Sequence, residues 1–258
     1  MARHLLGPMR GTEIMDSGYY AACAGLRAKS QALEIVANNV ANLNSTGYRA
    51  HQATFRSLLA APSGPYGNAI TRAVNDFGVL GGSRLDLAGG SLEQTGNPLD
   101  LAIEGDAFFA LQSAKQTLYT RNGNFHVSTT GQLLSAQGDP ILGEQGPISV
   151  PSGAVSVGPD GTISVDGAIT GKLRLVKFEQ GANLDAVGGS YCAGGESAPT
   201  PTNRATIRQG TLEQSNVNPM SAVVSLITVQ RQAEMLQRAL STFHSEFNHI
   251  ASTELPSV

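Results

Sequence analysis

The side chains that could carry acid–base chemistry are few in this 258-residue sequence. Glu104 and Asp106, in the segment AIEGDAFFAL, are the best candidates for a carboxylate pair, because residues i and i+2 of a strand lie on one face. Such a pair facing a cleft could act as general acid and general base. The alternative is a polar Gly-Asp turn before the apolar residues Phe108 and Phe109, and the sequence favours this turn.

The sequence gives less support for a metal site or a catalytic nucleophile than for a carboxylate pair. His244 and His249 both fall in the last predicted helix, but they are five residues apart and do not share a face as an i, i+4 zinc pair would. No nucleophile-elbow, phosphate-loop or dinucleotide motif occurs. The cysteines, Cys23 and Cys192, are too few for a disulfide framework, so we expect free thiols on a helix face and in a loop respectively. We therefore predict no catalytic residue, no cofactor and no metal.

The composition favours a protein whose surface packs against other molecules. Charged residues make up only 14% of the chain, against about a quarter in an average soluble domain. The net charge of -3 argues against a general nucleic-acid binder, which needs a basic face. No apolar run approaches the roughly 18 residues of a membrane span. Residues 1–14 lack the apolar core of a cleaved signal peptide, and we expect them to be an unstructured extension before Met15.

A first helix is predicted from about Asp16 to Asn42. Its apolar residues recur at steps of three and four, interrupted at Lys29, which is typical of a helix with one packing face. Gly47 can adopt the left-handed conformation that ends a helix. The residues of this stripe that we predict to contact other subunits are Leu26, Leu33, Val36, Val40 and Leu43.

A second helix is predicted from about Pro219 to Ser252, with Asn218 as its N-cap. An additional apolar strip begins at Met220 and continues through Val224 and Ile227, so this helix needs more than one neighbour. The predicted contact residues of its main stripe are Leu226, Val229, Leu236, Leu240, Phe243 and Phe247.

Asn39 and Asn42 lie in an asparagine cluster at the end of the first helix. Asparagine frays and caps helices, so one interpretation is simply a helix C-terminus. The other is that both side chains hydrogen-bond across a packed helix interface and fix its register, because a buried unpaired amide costs about 1–3 kcal/mol. The residues alone leave both interpretations open, and we include Asn39 and Asn42 among the predicted interface residues.

Between the helices the apolar period changes to two, which predicts strands. GKLRLVKF, residues 171–178, is expected to form one strand, and residues 183–203 a loop. Tyr119-Thr-Arg121 could bind a polar ligand, but the turn that follows explains it without one. Tight turns, mostly of hairpins, are predicted at Asn122–Gly123, Thr130–Gly131, Gly138–Pro140 and Pro159–Gly161.

One short segment occurs twice. SLEQTGNPL, at 91–99, returns as TLEQSNVNPM at 211–220. The first copy enters the β body, and the second leaves it for the last helix. One interpretation is two similar strand-to-turn junctions. The other is that both copies pass through the same layer side by side.

The two ends carry the most specific patterns. GLRAKSQALEIVANNVANLNSTGYRAHQATF resembles the N-terminal signature of the bacterial flagellar rod and hook proteins, and GTLEQSNVNPMSAVVSLITVQRQAEMLQRALSTF resembles the other signature of that family. The body segments LDLAIEGDAFFAL, YTRNGNFHV and GQLLSAQGDPILG are similar to its body pattern. The matching end residues are Ala37, Asn38, Asn39, Val40, Ala41, Asn42, Thr46, Gly47 and Tyr48, and then Leu212, Glu213, Ser215, Asn216, Val217 and Asn218.

The resemblance implies an α+β fold, in which the N- and C-terminal helices pack as a coiled-coil-like pair and bracket a β-rich body. The expected segments are an extension (1–14), an N-terminal helix with its motif (15–60), a linker (61–95), the β-rich body (96–205), and a C-terminal junction and helix (206–258).

The resemblance also implies a structural, non-enzymatic subunit of the flagellar basal-body rod. Such a subunit would polymerise through its terminal helices into the periplasmic drive shaft that transmits torque. Its expected partners are copies of itself, other rod proteins and the flagellar type III export apparatus, which would export it without a cleaved signal peptide. The body looks most like the proximal rod protein that is related to the distal rod protein. The alternatives are a distal rod or hook-type subunit, and a rod-associated cell-wall hydrolase.

Overall fold

The computed structural model describes residues 10–56, 79–114, 116–179, 181–195 and 197–254. Two long helices, α1 (Arg10–Ala41) and α2 (Pro219–Glu254), bracket a body of short strands, which confirms the predicted α+β class. None of the described helices is long and apolar enough to cross a membrane. The chain divides into two compact units: a helical unit, comprising Met1–Ala37, Ala53–Ser83 and Val223–Val258, and a body unit, comprising Asn38–Gln52 and Arg84–Ala222.

The ends of the helices follow local signals. α1 begins at Arg10, so residues 10–14 of the expected extension are helical, as no proline between Arg10 and Met15 interrupts the helix. Residues 1–9 lie outside the described residues, and the predicted domain scheme stays a prediction. After α1 the chain turns, and Gly47 takes the expected left-handed conformation at φ 66°. At the start of α2 the backbone N–H of Ser221 donates to Asn218 Oδ1 at 3.1 Å, which confirms the N-cap.

Among the described side chains of α1, the most buried apolar ones are small. Ala22, Ala28 and Ala32 are almost fully buried. The larger side chains of the predicted stripe keep part of their surface exposed. These half-buried residues are Leu26, Leu33, Val36, Val40 and Leu43.

The two sides of α2 differ in exposure. Ala233 and Leu236 of the predicted main stripe are buried, and so is Ala222 near the start of the helix. The additional strip is open, since Met220, Val224 and Ile227 are 78%, 59% and 48% exposed. Of the remaining main-stripe residues, Leu226, Val229 and Leu240 are half-buried, and the side chains of Phe243 and Phe247 lie outside the described part of the chain.

The strands are short. They are β1 (His51–Arg56), β2 (Val79–Leu85), β3 (Leu92–Gln94), β4 (Leu101–Glu104), β5 (Ala107–Gln112), β6 (Thr117–Thr120), β7 (Phe125–Val127), β8 (Leu133–Ser135), β9 (Leu142–Gly143), β10 (Gly146–Pro147), β11 (Val155–Val157), β12 (Thr162–Val165), β13 (Ala168–Lys172), β14 (Leu175–Lys177), β15 (Asp185–Gly188), β16 (Tyr191–Ala193), β17 (Thr200–Pro201), β18 (Thr206–Gln209) and β19 (Thr211–Glu213).

The core of the body unit surrounds a six-stranded sheet of order β15-β16-β6-β5-β14-β17. Its central strand β5, AFFALQ, is a continuous apolar run because both of its faces are covered. Phe109 faces the larger core cluster and meets Phe125 edge to face, with ring centroids 5.1 Å apart. Phe108 faces the smaller cluster on the other side, where it meets Phe178 at 5.6 Å.

Smaller sheets complete the body unit. β11, β12 and β13 form a three-stranded meander, and β7 pairs with β8. These antiparallel pairs confirm the predicted hairpins at Thr130–Gly131 and Pro159–Gly161. The predicted turn at Gly138–Pro140 is also present, because the Ser135 N–H donates to the Asp139 carbonyl oxygen at 2.9 Å.

Asn122–Gly123 does not form the predicted hairpin turn. β6 belongs to the six-stranded sheet, whereas β7 pairs with β8, so the strands on either side lie in different sheets. The Leu101 N–H donates to the Gly123 carbonyl oxygen at 3.0 Å. A Cβ atom at Gly123 would overlap the Leu101 carbonyl group. Glycine therefore serves here for close backbone packing rather than for a tight turn.

Two further predictions are wrong. Residues 171–178 do not form one strand, because the chain changes sheet between β13 and β14. Residues 183–203 are not a loop, since they contain β15, β16 and β17. These strands are only two to four residues long, so they lack the alternation that reveals longer strands. Cys192 consequently lies buried on β16, and both Cys192 and Cys23 are free thiols as predicted.

Candidate functional site

The two copies of the repeated segment lie side by side. β3 and β19 pair antiparallel, with Leu212 opposite Glu93 and Glu213 opposite Leu92. This confirms the interpretation that both copies pass through one layer. The copies differ in burial, because all of β3 is exposed whereas all of β19 is buried. We call this strand pair, together with residues 38–52, 86–90, 121–122 and 214–218, the terminal junction.

Glu213 stands at the centre of the terminal junction and is 1% exposed. Its Oε1 accepts from Arg49 Nη2 at 2.6 Å and from the Gly90 N–H at 2.8 Å. Its Oε2 pairs with Arg121 Nη1 at 3.3 Å. Its carbonyl oxygen accepts from the Gly47 N–H at 2.7 Å. One residue of the C-terminal signature thus joins the N-terminal signature to the body.

The electrostatics of the site follow from two guanidinium groups sharing one carboxylate. The pKa of Arg121 is lowered to about 10, and burial is the largest cause; Arg49 also lowers the pKa, whereas Glu213 and Asp106 oppose the shift. Arg121 lies over the Phe108 ring at 5.0 Å and donates to the Ile103 carbonyl oxygen at 3.2 Å. Removing one partner of such a buried ion pair costs about 3–5 kcal/mol, because a charge is left uncompensated.

The Asn39 side chain, near the end of α1, hydrogen-bonds the chain that follows the helix. Its Nδ2 donates to the His51 carbonyl oxygen and its Oδ1 accepts from the His51 N–H, both at 2.8 Å. The Tyr48 hydroxyl adds a bond to Oδ1 at 3.1 Å. Asn42 bonds locally, to the Asn38 carbonyl oxygen and the Ser45 hydroxyl. These contacts support the helix C-terminus interpretation, and an additional contact of either side chain with another subunit stays a prediction.

Asn216 plays a similar part for the C-terminal segment. Its Oδ1 accepts from the Ala50 N–H at 2.7 Å. Its Nδ2 donates to the carbonyl oxygens of Asp86 at 3.0 Å and Ala88 at 2.9 Å. One amide therefore holds three backbone segments together.

Gly47 permits a close approach of two backbone segments in the junction. Its φ of 66° suits glycine, and a Cβ atom there would overlap the Asn122 backbone. The backbone of Gly47, a residue of the N-terminal signature, therefore packs directly against the backbone of Arg121 and Asn122.

The charged centre of this site was not predicted from the sequence. Asn39 and Asn42 were predicted as site residues, but Arg49, Arg121, Glu213 and Asn216 were not. The repeated segment was the one available signal, because it contains Glu213. The positions of Arg49 and Arg121 in the sequence do not indicate that both bind the same carboxylate. Of the predicted leucine and valine residues, Val40 and Leu43 lie within residues 38–52 of the junction, and the others lie outside it.

The residues considered for catalysis do not assemble into an active site. Glu104 forms an exposed ion pair with Arg208 at 2.8 Å, and Asp106 is exposed beyond Gly105, which has a φ of 110°. This supports the turn interpretation. Among the described residues, no group of three or more His, Cys, Asp and Glu side chains could hold a metal. His244 is exposed, and the side chain of His249 lies outside the described part of the chain.

Three family models match consecutive parts of the chain. Residues 20–49 match one described as flagella basal body rod protein. Residues 102–169 match the flagellar hook protein FlgE/F/G D1 domain. Residues 208–247 match the flagellar basal body rod FlgEFG protein C-terminal model. The first and third matches contain Arg49 and Glu213, and the second contains Arg121.

Curated relatives match over most of their length. The flagellar basal-body rod protein FlgF of Mesorhizobium japonicum is 35% identical over 85% of this chain and 90% of that protein. FlgF of Caulobacter vibrioides is 32% identical over 88% of the chain and 93% of that protein. The flagellar basal-body rod protein FlgG of Bacillus subtilis is 28% identical over 86% of the chain and 93% of that protein. The chain therefore belongs to the flagellar basal-body rod protein family.

Proposed function

We propose that this protein is a structural subunit of the bacterial flagellar basal-body rod, and that it polymerises through α1 and α2 into the axial shaft that crosses the periplasm and transmits torque. The family consists of structural rod proteins and not of enzymes. The observation that carries the proposal is the terminal junction, in which both signatures of the family fix the base of each helix to one body.

The exposed strip of α2 supports polymerisation. Met220, Val223, Val224 and Ile227 follow one another at helical spacing and are exposed. Burying an apolar side chain stabilises by about 1.5–3 kcal/mol. Contact with a neighbouring subunit would remove this strip from water, and it would do the same for the exposed parts of the half-buried leucines of both helices.

The finer arrangement is also part of the proposal. α1 and α2 pair in coiled-coil fashion within an inner helical layer, and the β body forms an outer layer. The residues proposed to contact other subunits are Leu26, Leu33, Val36, Asn39, Val40, Asn42, Leu43, Leu226, Val229, Leu236, Leu240, Phe243 and Phe247.

The terminal junction suits a subunit that bears torque. Glu213 connects the residues that follow α1 with the strand that precedes α2, and Arg121 anchors both to the six-stranded sheet. Buried ion pairs and backbone hydrogen bonds thus hold together, within the body unit, the segments that adjoin the two helices.

The proposed partners are copies of this chain, other rod proteins and the flagellar type III export apparatus, with export proceeding without a cleaved signal peptide. The proposed position is the proximal rod. A distal rod or hook-type position is the alternative, because relatives named FlgF and FlgG match at similar identity: in Caulobacter vibrioides they are 32% and 31% identical to the chain.

Locating the chain in a density map of intact basal bodies tests this proposal. We expect α1 and α2 in the innermost layer of the rod, in contact with the helices of neighbouring subunits. Density for the chain outside the rod would contradict it. A peptidoglycan-release assay on the purified protein tests the hydrolase alternative, for which we expect no release, because Glu104 is paired with Arg208.

A further inference from the structure

The last strands of the body unit pair with strands near its start. β18 pairs antiparallel with β4, with Thr206 opposite Glu104 and Gln209 opposite Leu101. β19 pairs antiparallel with β3. We call residues 205–213, which contain β18 and β19, the C-terminal strap.

The strap supplies the strand partners of β3 and β4. Among the described strands, β4 pairs only with β18, and β3 pairs only with β19. The first three residues of β4, Leu101–Ile103, are buried. Without the strap, backbone N–H and C=O groups along one edge of this buried strand would lose their hydrogen bonds, and an unpaired buried backbone group is costly.

The strap also completes the hydrophobic core. Ala205 and Ile207 belong to the larger core cluster, together with Phe109 of the central strand β5. Ile207 is 3% exposed. Its backbone N–H donates to the Pro159 carbonyl oxygen at 2.9 Å, which joins the strap to the turn between β11 and β12.

The Gln209 side chain connects the strap to two further segments. Its Nε2 donates to the carbonyl oxygens of Pro98 at 2.8 Å and Val155 at 3.0 Å. Its Oε1 accepts from the Val157 N–H at 3.2 Å. The bond to Pro98 spans 111 positions of the chain.

The end of the strap carries the carboxylate of the terminal junction. Glu213 pairs with Arg49 at 2.6 Å and with Arg121 at 3.3 Å. Both arginines precede the strap in the chain and are buried. Their burial without this carboxylate is costly, so the packing of the arginines and the closure of the strap favour each other.

We infer that the C-terminal strap is a folding lock, which means that the body unit reaches its packed state only when residues 205–213 close on it. Closing a long loop costs conformational entropy before its contacts form, so the strap joins late. An open strap leaves β4 without its partner, removes Ile207 from the core and leaves two arginines without Glu213. The six-stranded sheet therefore does not persist as a separate folded part while the strap is open.

The lock acts on an incomplete chain. Because synthesis begins at the N-terminus, residues 1–204 emerge before the strap, and the body stays unpacked until the strap follows. An unpacked body suits a subunit that is exported as an extended chain. This consequence rests on the proposed export by a type III apparatus, whereas the lock itself does not.

Native-state hydrogen exchange of the full chain tests the lock. The opening of backbone amides in β4, β5, β6 and β18 is measured at increasing urea concentration. We expect the slowest amides of all four strands to share one opening free energy and one dependence on urea, as parts of one cooperative unit. If amides of β5 and β6 stayed protected while those of β18 exchanged through a lower-energy opening, the inference would be overturned.

A variant of the strap tests the same coupling. Gln209→Ala removes three hydrogen bonds and should lower the protection of the β5 and β6 amides by the same factor as that of the β18 amides, about 10- to 100-fold. Gln145→Ala, exposed in the turn between β9 and β10, is the matched control and should change neither. Loss of protection confined to β4 and β18, or no loss in any strand, would contradict the lock. Exchange of the unmodified chain decides the question even if Gln209→Ala does not fold.

Discussion

Glu93 and Glu213 occupy the same place in two copies of one motif, yet their surroundings differ. Glu93 is exposed and accepts a hydrogen bond from Gln214 Nε2 at 2.7 Å. Glu213 is buried between Arg49 and Arg121. The repeat therefore provides an internal comparison of two glutamates in the junction, one exposed to water and one buried.

Replacing Glu213 by Gln should destabilise the body unit by about 3 kcal/mol or more, because two buried guanidinium groups lose their carboxylate. The same change at Glu93 should alter the free energy of unfolding by less than about 0.5 kcal/mol. Urea unfolding followed by circular dichroism measures both. Similar losses for the two variants would show that the buried ion pairs do not stabilise the junction.

His51 makes the junction sensitive to acid. Burial lowers its pKa below the ordinary value of 6.5, so below that pH the unfolded chain binds a proton that the folded chain does not. Stability should therefore fall as the pH drops from 6.5 through the lowered pKa of the folded state. His51→Gln should show a shallower dependence of the urea midpoint between pH 7.5 and 5.

His126→Gln controls for the loss of a histidine as such, because His126 is exposed on β7. If His51→Gln kept the acid dependence of the unmodified chain, His51 would not be the group that titrates.

At the scale of elements, patterns that repeat over many residues were predictable. Both helices and the hairpins at Thr130–Gly131 and Pro159–Gly161 follow from apolar periodicity and turn residues. Strands β15 to β17 did not, because two to four residues cannot show a period. The prediction of a hairpin turn at Asn122–Gly123 was wrong because glycine occurs both in tight turns and where two backbones pack closely. The sequence does not indicate which other backbone segment approaches Gly123.

Gly123→Ala tests the close approach of two backbones at the edge of β4. The added methyl group would overlap the Leu101 carbonyl, so we expect a loss of about 3 kcal/mol or more in the free energy of unfolding. Gly171→Ala is the matched control, because a Cβ there meets open space and its φ is not positive. This control should be neutral or stabilising by up to about 1 kcal/mol. A well-tolerated Gly123→Ala would contradict the packing described for this strand.

At the scale of the whole molecule, the sequence predicted the class of fold and the family but not how the ends join the body. The side-by-side repeat indicated that the two ends meet. The ion pairs of Glu213 with Arg49 and Arg121 join residues 164 and 92 positions apart in the chain. Such pairs depend on the complete topology, and neither arginine differs in its local pattern from an exposed one.

For the helices, the apolar stripes can be predicted from the sequence, but the proposed partners of those stripes are other subunits. The half-buried leucines of α1 and the open strip of α2 are what a single subunit presents before assembly. Leu236 is already buried in the subunit, so its substitution would affect folding and assembly together. Residues of the open strip separate the two effects.

The double substitution Val224→Asp and Ile227→Asp tests the central claim most directly. Both side chains are exposed in the subunit, at 59% and 48%, so the purified variant should unfold at the same temperature as the unmodified chain. Cells carrying it should assemble no complete rod and should not swim, whereas cells with Ser225→Asp, exposed on the same helix outside the strip, should swim normally. Complete rods and normal motility with the double variant would contradict assembly through this face of α2.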